Sequence, residues 1–246
     1  MRRHDSINLR IAIYCSLFAL FFLSCMRAAS QQRENSSDLV REFTANQYFW
    51  QQLQVAQKLV ALNDSKDLPQ FEPYLKNADR HLRGNAAFLF ASLGEELGLK
   101  IIYEILQDRS SPRPEGQGIP GGPWSLAAQI EADRYYAVHL LGLLKNPRAV
   151  PILVPLLKDS DVNYKVAWAL GEIGDNAAIP PLLDALNDQS SAMRVASIEA
   201  LVTLGATEAL PRLRLLLQDN ERIHTGNLGT VSESARSAIA KLSAIR

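Results

Sequence analysis

The strongest constraint on the fold is an internal repeat. The segment LLGLLKNPRAVPILVPLLKD (140–159) superposes without a gap on ALGEIGDNAAIPPLLDALND (169–188) at an offset of 29, which brings Gly142 onto Gly171, Pro151 onto Pro180 and Asp159 onto Asp188. A further copy, ALVTLGATEALPRLRLLLQD (200–219), follows at an offset of 31, with Gly205, Pro211 and Asp219 under Gly174, Pro180 and Asp188. Two weaker copies precede these: residues 82–108 align with the unit around Trp168 at an offset of 80, and residues 55–77 at 111, with Pro69 on Pro180. A pattern that returns about every thirty residues builds an array, in which each unit buries its apolar face against the next.

Each unit reads as helix–turn–helix. Val166, Ala169, Leu170 and Ile173 recur at spacings of 3, 4 and 7, one face of a helix. Gly174-Asp175 ends it, since glycine accepts the left-handed conformation at a helix C-terminus. The second helix starts near Ala177, with Pro180 and Pro181 in its first turn, where a missing N–H costs little. Ile179, Leu182, Ala185 and Leu186 give its apolar stripe. The reading predicts an all-α solenoid of five full units and a half, at 46–77, 78–108, 132–159, 160–188, 189–219 and 220–246. The last has one helix, polar enough to cap the array.

The segment VNYKVAWALGEIGDNAAIPPLLDALND (162–188) resembles the short HEAT-like repeat of the phycobiliprotein lyases. Asn163 stands where that family carries arginine, whereas Arg83, Arg194 and Arg236 keep it in other copies. The resemblance implies a right-handed superhelix of HEAT-like repeats over 46–246, interrupted by one insertion. It fixes no function, because such repeats serve scaffolds, chaperone-like lyases and a few enzymes.

The insertion, RSSPRPEGQGIPGGPW (109–124), is half glycine and proline and excludes regular helix or strand. It is either a solvated spacer, with Trp124 folded onto the array, or a loop over a ligand, with Ile119 and Trp124 as contacts. Ser125 can N-cap a lengthened helix after it. In this repeat class the second helices line the concave face. There the middle units present Ile101, Tyr103, Ile152, Val154, Pro155 and Leu183 where a fully solvated helix carries Lys or Glu, and the C-terminal end presents Arg212 and Arg214. Exposed apolar patches mark contact sites; the competing reading is that these helices have wide buried faces. Ile101, Tyr103, Ile152, Val154, Leu183, Arg212, Arg214 and Trp124 are therefore the candidate partner-binding residues. The first-helix aromatics Phe88, His139 and Trp168, with Tyr135 and Tyr164 one turn earlier, read as packing or convex surface ahead of a cofactor box.

No catalytic constellation emerges. His81, His139 and His224 are each followed by a residue other than Glu, so the His-Glu pairs by which deoxyhypusine hydroxylase, a HEAT-like enzyme, holds di-iron are absent. No metal-ligand spacing, nucleophile elbow or phosphate loop occurs. Asp159, Asp175, Asp188 and Asp219 recur with the repeat, which points to capping and to pairing with residues such as Arg194. Formal charge is 0, and without the basic first thirty residues it is near −3, which argues against a nucleic-acid groove.

Residues 1–30 read as an export signal: a basic start, then an apolar run from Ile11 to Ser24 of ~21 Å, short of a membrane span. Cleavage after Ser30 and a lipobox-like Phe22-Leu23-Ser24-Cys25, with Cys25 lipidated to the membrane, are the two processing routes, and an uncleaved short anchor is the third reading. Residues 31–45 read as a polar tether. The resulting expectation is an exported, periplasmic or envelope-bound, non-enzymatic scaffold. It would bind a protein or extended peptide on its concave face, without cofactor, metal or nucleic acid. The alternative is a small-molecule, tetrapyrrole- or metal-binding protein near His139 and Trp168, with lyase- or hydroxylase-type activity. Bilin lyase activity implies the cyanobacterial cytoplasm, at odds with such a leader.

Overall fold

The computed structural model describes residues 36–46, 48–110, 126–223 and 229–245, and over these the chain is an all-α solenoid. Its helices are α1 (Ser36–Ala45), α2 (Phe49–Leu62), α3 (Arg80–Ser92), α4 (Glu96–Gln107), α5 (Leu126–Leu144), α6 (Val150–Leu153), α7 (Asn163–Ile173), α8 (Ile179–Ala185), α9 (Ser191–Thr203), α10 (Leu210–Leu215) and α11 (Val231–Ser243). The first helices of successive units, α2, α3, α5, α7, α9 and α11, pack each on the next. Cys25 and Trp124 lie outside the described residues. No described helix is long and apolar enough to cross a membrane.

The close stacking has a visible cause. Gly142 of α5 faces α7, and a Cβ there would stand 2.6 Å from the Trp168 ring; at Gly171 one would meet the Ala200 backbone of α9 at 3.1 Å. Neighbouring first helices thus come too close for a side chain at Gly142, and close enough at Gly171 that even a methyl is tight. Gly174 serves the other purpose, ending α7 at φ 78°.

The second helices are less regular than the pattern predicts. Only α4 is a plain helix of three turns; α6, α8 and α10 are short and adjoin 3-10 turns, such as Asn176–Ala178 before α8 and Val154–Lys158 after α6. In the first unit the whole of Ser65–Lys76 is 3-10, with Pro69 and Pro73 inside it. Proline removes the N–H that an α-helix would use and crowds the preceding turn, so these stretches tighten.

The stretch expected to be a tether is corrected by α1. Leu39, Val40 and Phe43 are buried, and the Phe43 ring meets Phe71 and Tyr74 edge-on, with centroids 5.0 and 5.5 Å away. Three apolar residues spaced over one helix face suffice to dock it on the first unit.

The recurring aspartates tie units together. Arg134, 2% exposed, donates to the Leu106 carbonyl at 2.9 Å and grips Asp159 and Asp161 at 2.6 and 3.0 Å. That hydrogen bond holds the Asp159 carboxyl below its usual range. Arg194 pairs likewise with Asp219 and Glu221 at 2.9 and 2.7 Å. Arg134 precedes Asn163 by the repeat offset of 29, so it occupies the family's arginine position in its own unit.

Candidate functional site

The first helices leave a groove between them. Phe49, Trp50 and Leu53 of α2, His81 of α3, Ala128, Glu131, Ala132, Tyr135, Tyr136 and His139 of α5, and Lys165 of α7 enclose about 680 Å³. That lies within the roughly 300–1,000 Å³ of small-molecule sites, and the lining is predominantly apolar and aromatic, as such sites are.

Its floor is a ladder of rings. Phe49 stacks on His81 at 4.4 Å, His81 meets Tyr136 at 4.8 Å, and Tyr136 leads to His139 at 6.1 Å. His139 stacks on Trp168 at 5.1 Å. At the outer end Tyr48 stacks on Trp50 at 4.8 Å. The Lys165 ammonium closes the ladder at the other end, 3.4 Å above the Trp168 ring and 5.4 Å from that of Tyr135.

A buried polar relay holds these rings in place. Tyr136 donates to Asn85 Oδ1 at 2.5 Å, and Asn85 Nδ2 donates to the Phe49 carbonyl at 2.8 Å and to Gln52 at 3.0 Å. Gln52 donates to the Phe43 carbonyl at 3.2 Å. Four helices are thereby pinned behind the groove, because each member would be costly to leave unpaired in the interior. Burial also pushes the Tyr136 hydroxyl well above its ordinary range, so it stays a neutral donor.

Next to the relay lies a buried charge cluster. Arg80, 3% exposed, pairs with Asp133, 2% exposed, at 3.2 Å, and also with Asp108 and the Ser110 carbonyl. The His81 Nδ1 stands 3.4 Å from Asp133 Oδ1 and 3.7 Å from Asp79.

Electrostatically the far end is a cation over neutral rings. Burial, aided by the Lys165 charge, lowers His139 to about 4, so its imidazole is neutral at pH 7. Burial also lowers Lys165 to about 8, against the opposing pull of Glu172, so it remains mostly protonated at pH 7. Among the described residues no group of three His, Cys, Asp or Glu stands together to hold a metal ion. The site can therefore hold a flat conjugated molecule along the ladder and an anionic group at Lys165.

The predicted partner-binding residues lie elsewhere, on the second helices. Ile101 is buried, and Tyr103, Ile152, Val154 and Leu183 are half-buried against the core, whereas Arg212 and Arg214 are exposed. Ile101 helps line a separate hollow with Pro69, Pro73 and Leu97. His139, set aside as packing, lines the groove, and Trp168 stacks on it. Phe49, Trp50, His81, Tyr136 and Lys165 escaped sequence reasoning as a set. A usable signal was present: Asn85, Tyr136 and Lys165 occupy one column of the repeat alignment, at offsets of 80 and 29 from Lys165.

A family model of HEAT repeats matches residues 126–191 and 159–225. The chain is 34% identical over 153 residues to the bilin biosynthesis protein PecE of Nostoc sp., covering 61% of this chain and 55% of that protein. It is 37% identical over 97 residues to the phycocyanobilin lyase subunit alpha of Synechococcus elongatus, covering 35% of this chain and 36% of that one. The chain thus spans about half the length, or less, of these curated relatives. Among solved structures it is similar to the complex of CpcE and CpcF of phycocyanin lyase from Nostoc sp. PCC7120, with 25% identity, 72% of this chain and 65% of that chain covered, and a TM-score of 0.48.

These similarities correct the functional expectation. Relatives that are a bilin biosynthesis protein and a lyase subunit overturn the reading of a non-enzymatic scaffold and favour the tetrapyrrole and lyase alternative. The physical reason is that the apolar second-helix positions pack against the core, whereas the aromatic groove opens between the first helices. The expectation of export is corrected by the same finding, because similarity to bilin biosynthesis and lyase proteins points away from the exported scaffold.

Proposed function

Because the chain is a HEAT-like repeat protein of the phycobilisome-lyase type, we propose that it binds a bilin, an open-chain tetrapyrrole, and serves the covalent attachment of that bilin to an acceptor protein. The observation that carries this reading is the aromatic groove closed by Lys165. A bilin is a flat, conjugated ligand with carboxylate side arms. Its rings suit the ladder from Phe49 to Trp168, and a carboxylate suits the Lys165 ammonium in a partly desolvated site, where the pair is worth more than in water. Neutral His139 adds no competing charge.

The relatives' likeness to a lyase subunit supports a protein acceptor and a companion subunit as partners. A cysteine thiol adding across a double bond of the bilin is the reaction that a lyase name of this kind describes. Titrating the purified chain with phycocyanobilin tests the reading. Binding should sharpen and shift the visible band and quench the fluorescence of Trp50 and Trp168. A chain that leaves the pigment's spectrum as it is in buffer defeats the proposal.

A further inference from the structure

The buried charge cluster behind the groove has no evident need for a histidine. Arg80 and Asp133 already pair, and Arg80 reaches Asp108 and Ser110 as well. Yet His81 is placed so that its Nδ1 lies 3.4 Å from Asp133 Oδ1, and neither of these two buried atoms makes a hydrogen bond. Two complementary atoms at that separation form a hydrogen bond with a small closing motion, as catalytic pairs often do only once substrate is bound. The opposite edge of the imidazole carries Nε2, and His81 is one of the residues that line the groove. Phe49 covers one ring face at 4.4 Å and fixes its plane.

We propose that His81 is the acid–base residue of bilin attachment and that Asp133 positions it, an inference that rests on the bilin reading above. Asp133 would accept from Nδ1–H and so leave Nε2 as the acceptor, the tautomer that a general base requires. Arg80 orients Asp133 by donating to its other oxygen. The step balances without an oxidant or reductant. The thiol S–H bond breaks and its proton goes to Nε2. The sulfur forms a C–S bond at one carbon of the pigment's exocyclic double bond, whose electron pair moves onto the other carbon and the conjugated system. The imidazolium then returns the proton there, and His81 is neutral again. The charged or titratable groups facing His81 are Asp79 and Arg80 from the start of its own helix, and Asp133 and Tyr136 from α5; α2 presents the uncharged Phe49.

The test uses the full chain, phycocyanobilin and 2-mercaptoethanol as a small thiol, with pigment binding and adduct formation read separately by absorbance. The rate is expressed relative to that of free pigment at the same pH, which removes the thiol's own ionisation. Wild-type protein should raise this ratio above one. His81→Gln should keep pigment binding and lose the rise by roughly 10²-fold or more. Asp133→Asn should lose at least about tenfold while still binding, through the wrong tautomer. A wild-type chain that binds no pigment overturns the bilin reading and this assignment with it. A chain that binds pigment but has a ratio of one, or a His81→Gln variant as fast as wild type, overturns the role of His81 alone. Should His81→Gln fail to bind, Asp133→Asn, which keeps the imidazole, decides: a variant that binds pigment and is as fast as wild type overturns the assignment.

Discussion

The joint between α3 and α5 and the joint between α7 and α9 share one frame and differ in content. At the second, Gly171 sits against Ala200, and Val166, Ala169, Leu170, Ile198 and Leu201 fill the interface. At the first, the column that holds Lys165 in α7 and Ala196 in α9 carries Asn85 and Tyr136, with His81, Arg80 and Asp133 beside them. The regular joint is what a repeat needs in order to stack. A buried ion pair and a polar relay are weak devices for stability alone, because apolar packing does as well without the desolvation cost. In an array whose units otherwise agree, the departure from the apolar pattern locates the chemistry, and the aromatic groove opens at that joint.

The comparison breaks most readily at its charges. Arg80→Ala should cost about 3–5 kcal/mol in urea unfolding, because it strands Asp133 in the interior. Arg194→Ala, whose partners Asp219 and Glu221 are partly exposed, should cost clearly less. Equal losses would mean that the deeper burial of the Arg80–Asp133 pair carries no extra cost. Next in size, Gly142→Ala should destabilise by about 1–3 kcal/mol as the Trp168 ring is forced aside. Gly171→Ala, with a milder approach and a gain in helix propensity, should stay close to neutral.

The groove itself gives smaller and more specific effects. Lys165→Gln should weaken phycocyanobilin binding about tenfold, or ~1.4 kcal/mol. In wild type the affinity should fall as pH rises through about 8, where the free lysine gives up its proton. Lys165→Arg should hold affinity steady over that window, since arginine stays charged. The smallest effect expected is from Arg212→Glu with Arg214→Glu, which should alter pigment affinity less than twofold. A large loss there would return the binding site to the second helices.

The frame was readable from the sequence because its determinants are local and recurrent. Gly142, Gly171 and Gly174, the paired prolines and the repeating aspartates each act on their own turn or on the next unit. The proline-tightened 3-10 turns and the docked α1 were harder to read: the first depend on how much helix survives around Pro69, Pro73 and Pro155, the second on only Leu39, Val40 and Phe43. The groove was hardest, because it joins Phe49 to Lys165 across four helices. His139 and Trp168 stood out as aromatic, but a stack of rings in a repeat looks the same whether it fills a core or floors a cavity. Only the side-chain geometry separates the two.

The relay from Phe43 through Gln52 and Asn85 to Tyr136 links helices on both sides of the 109–124 insertion. An array held by nearest-neighbour contacts parts where a joint is weakest, and the longer stretch of sequence between these two units makes this joint the costlier to close. A molecule lying across α2, α3, α5 and α7 would then act as mortar as well as cargo. At a hundred times its dissociation constant it would add about 2.7 kcal/mol to the folded chain. Loaded protein would melt as one block, whereas empty protein would open first at this seam, and release of the product would loosen the masonry for the next molecule to enter.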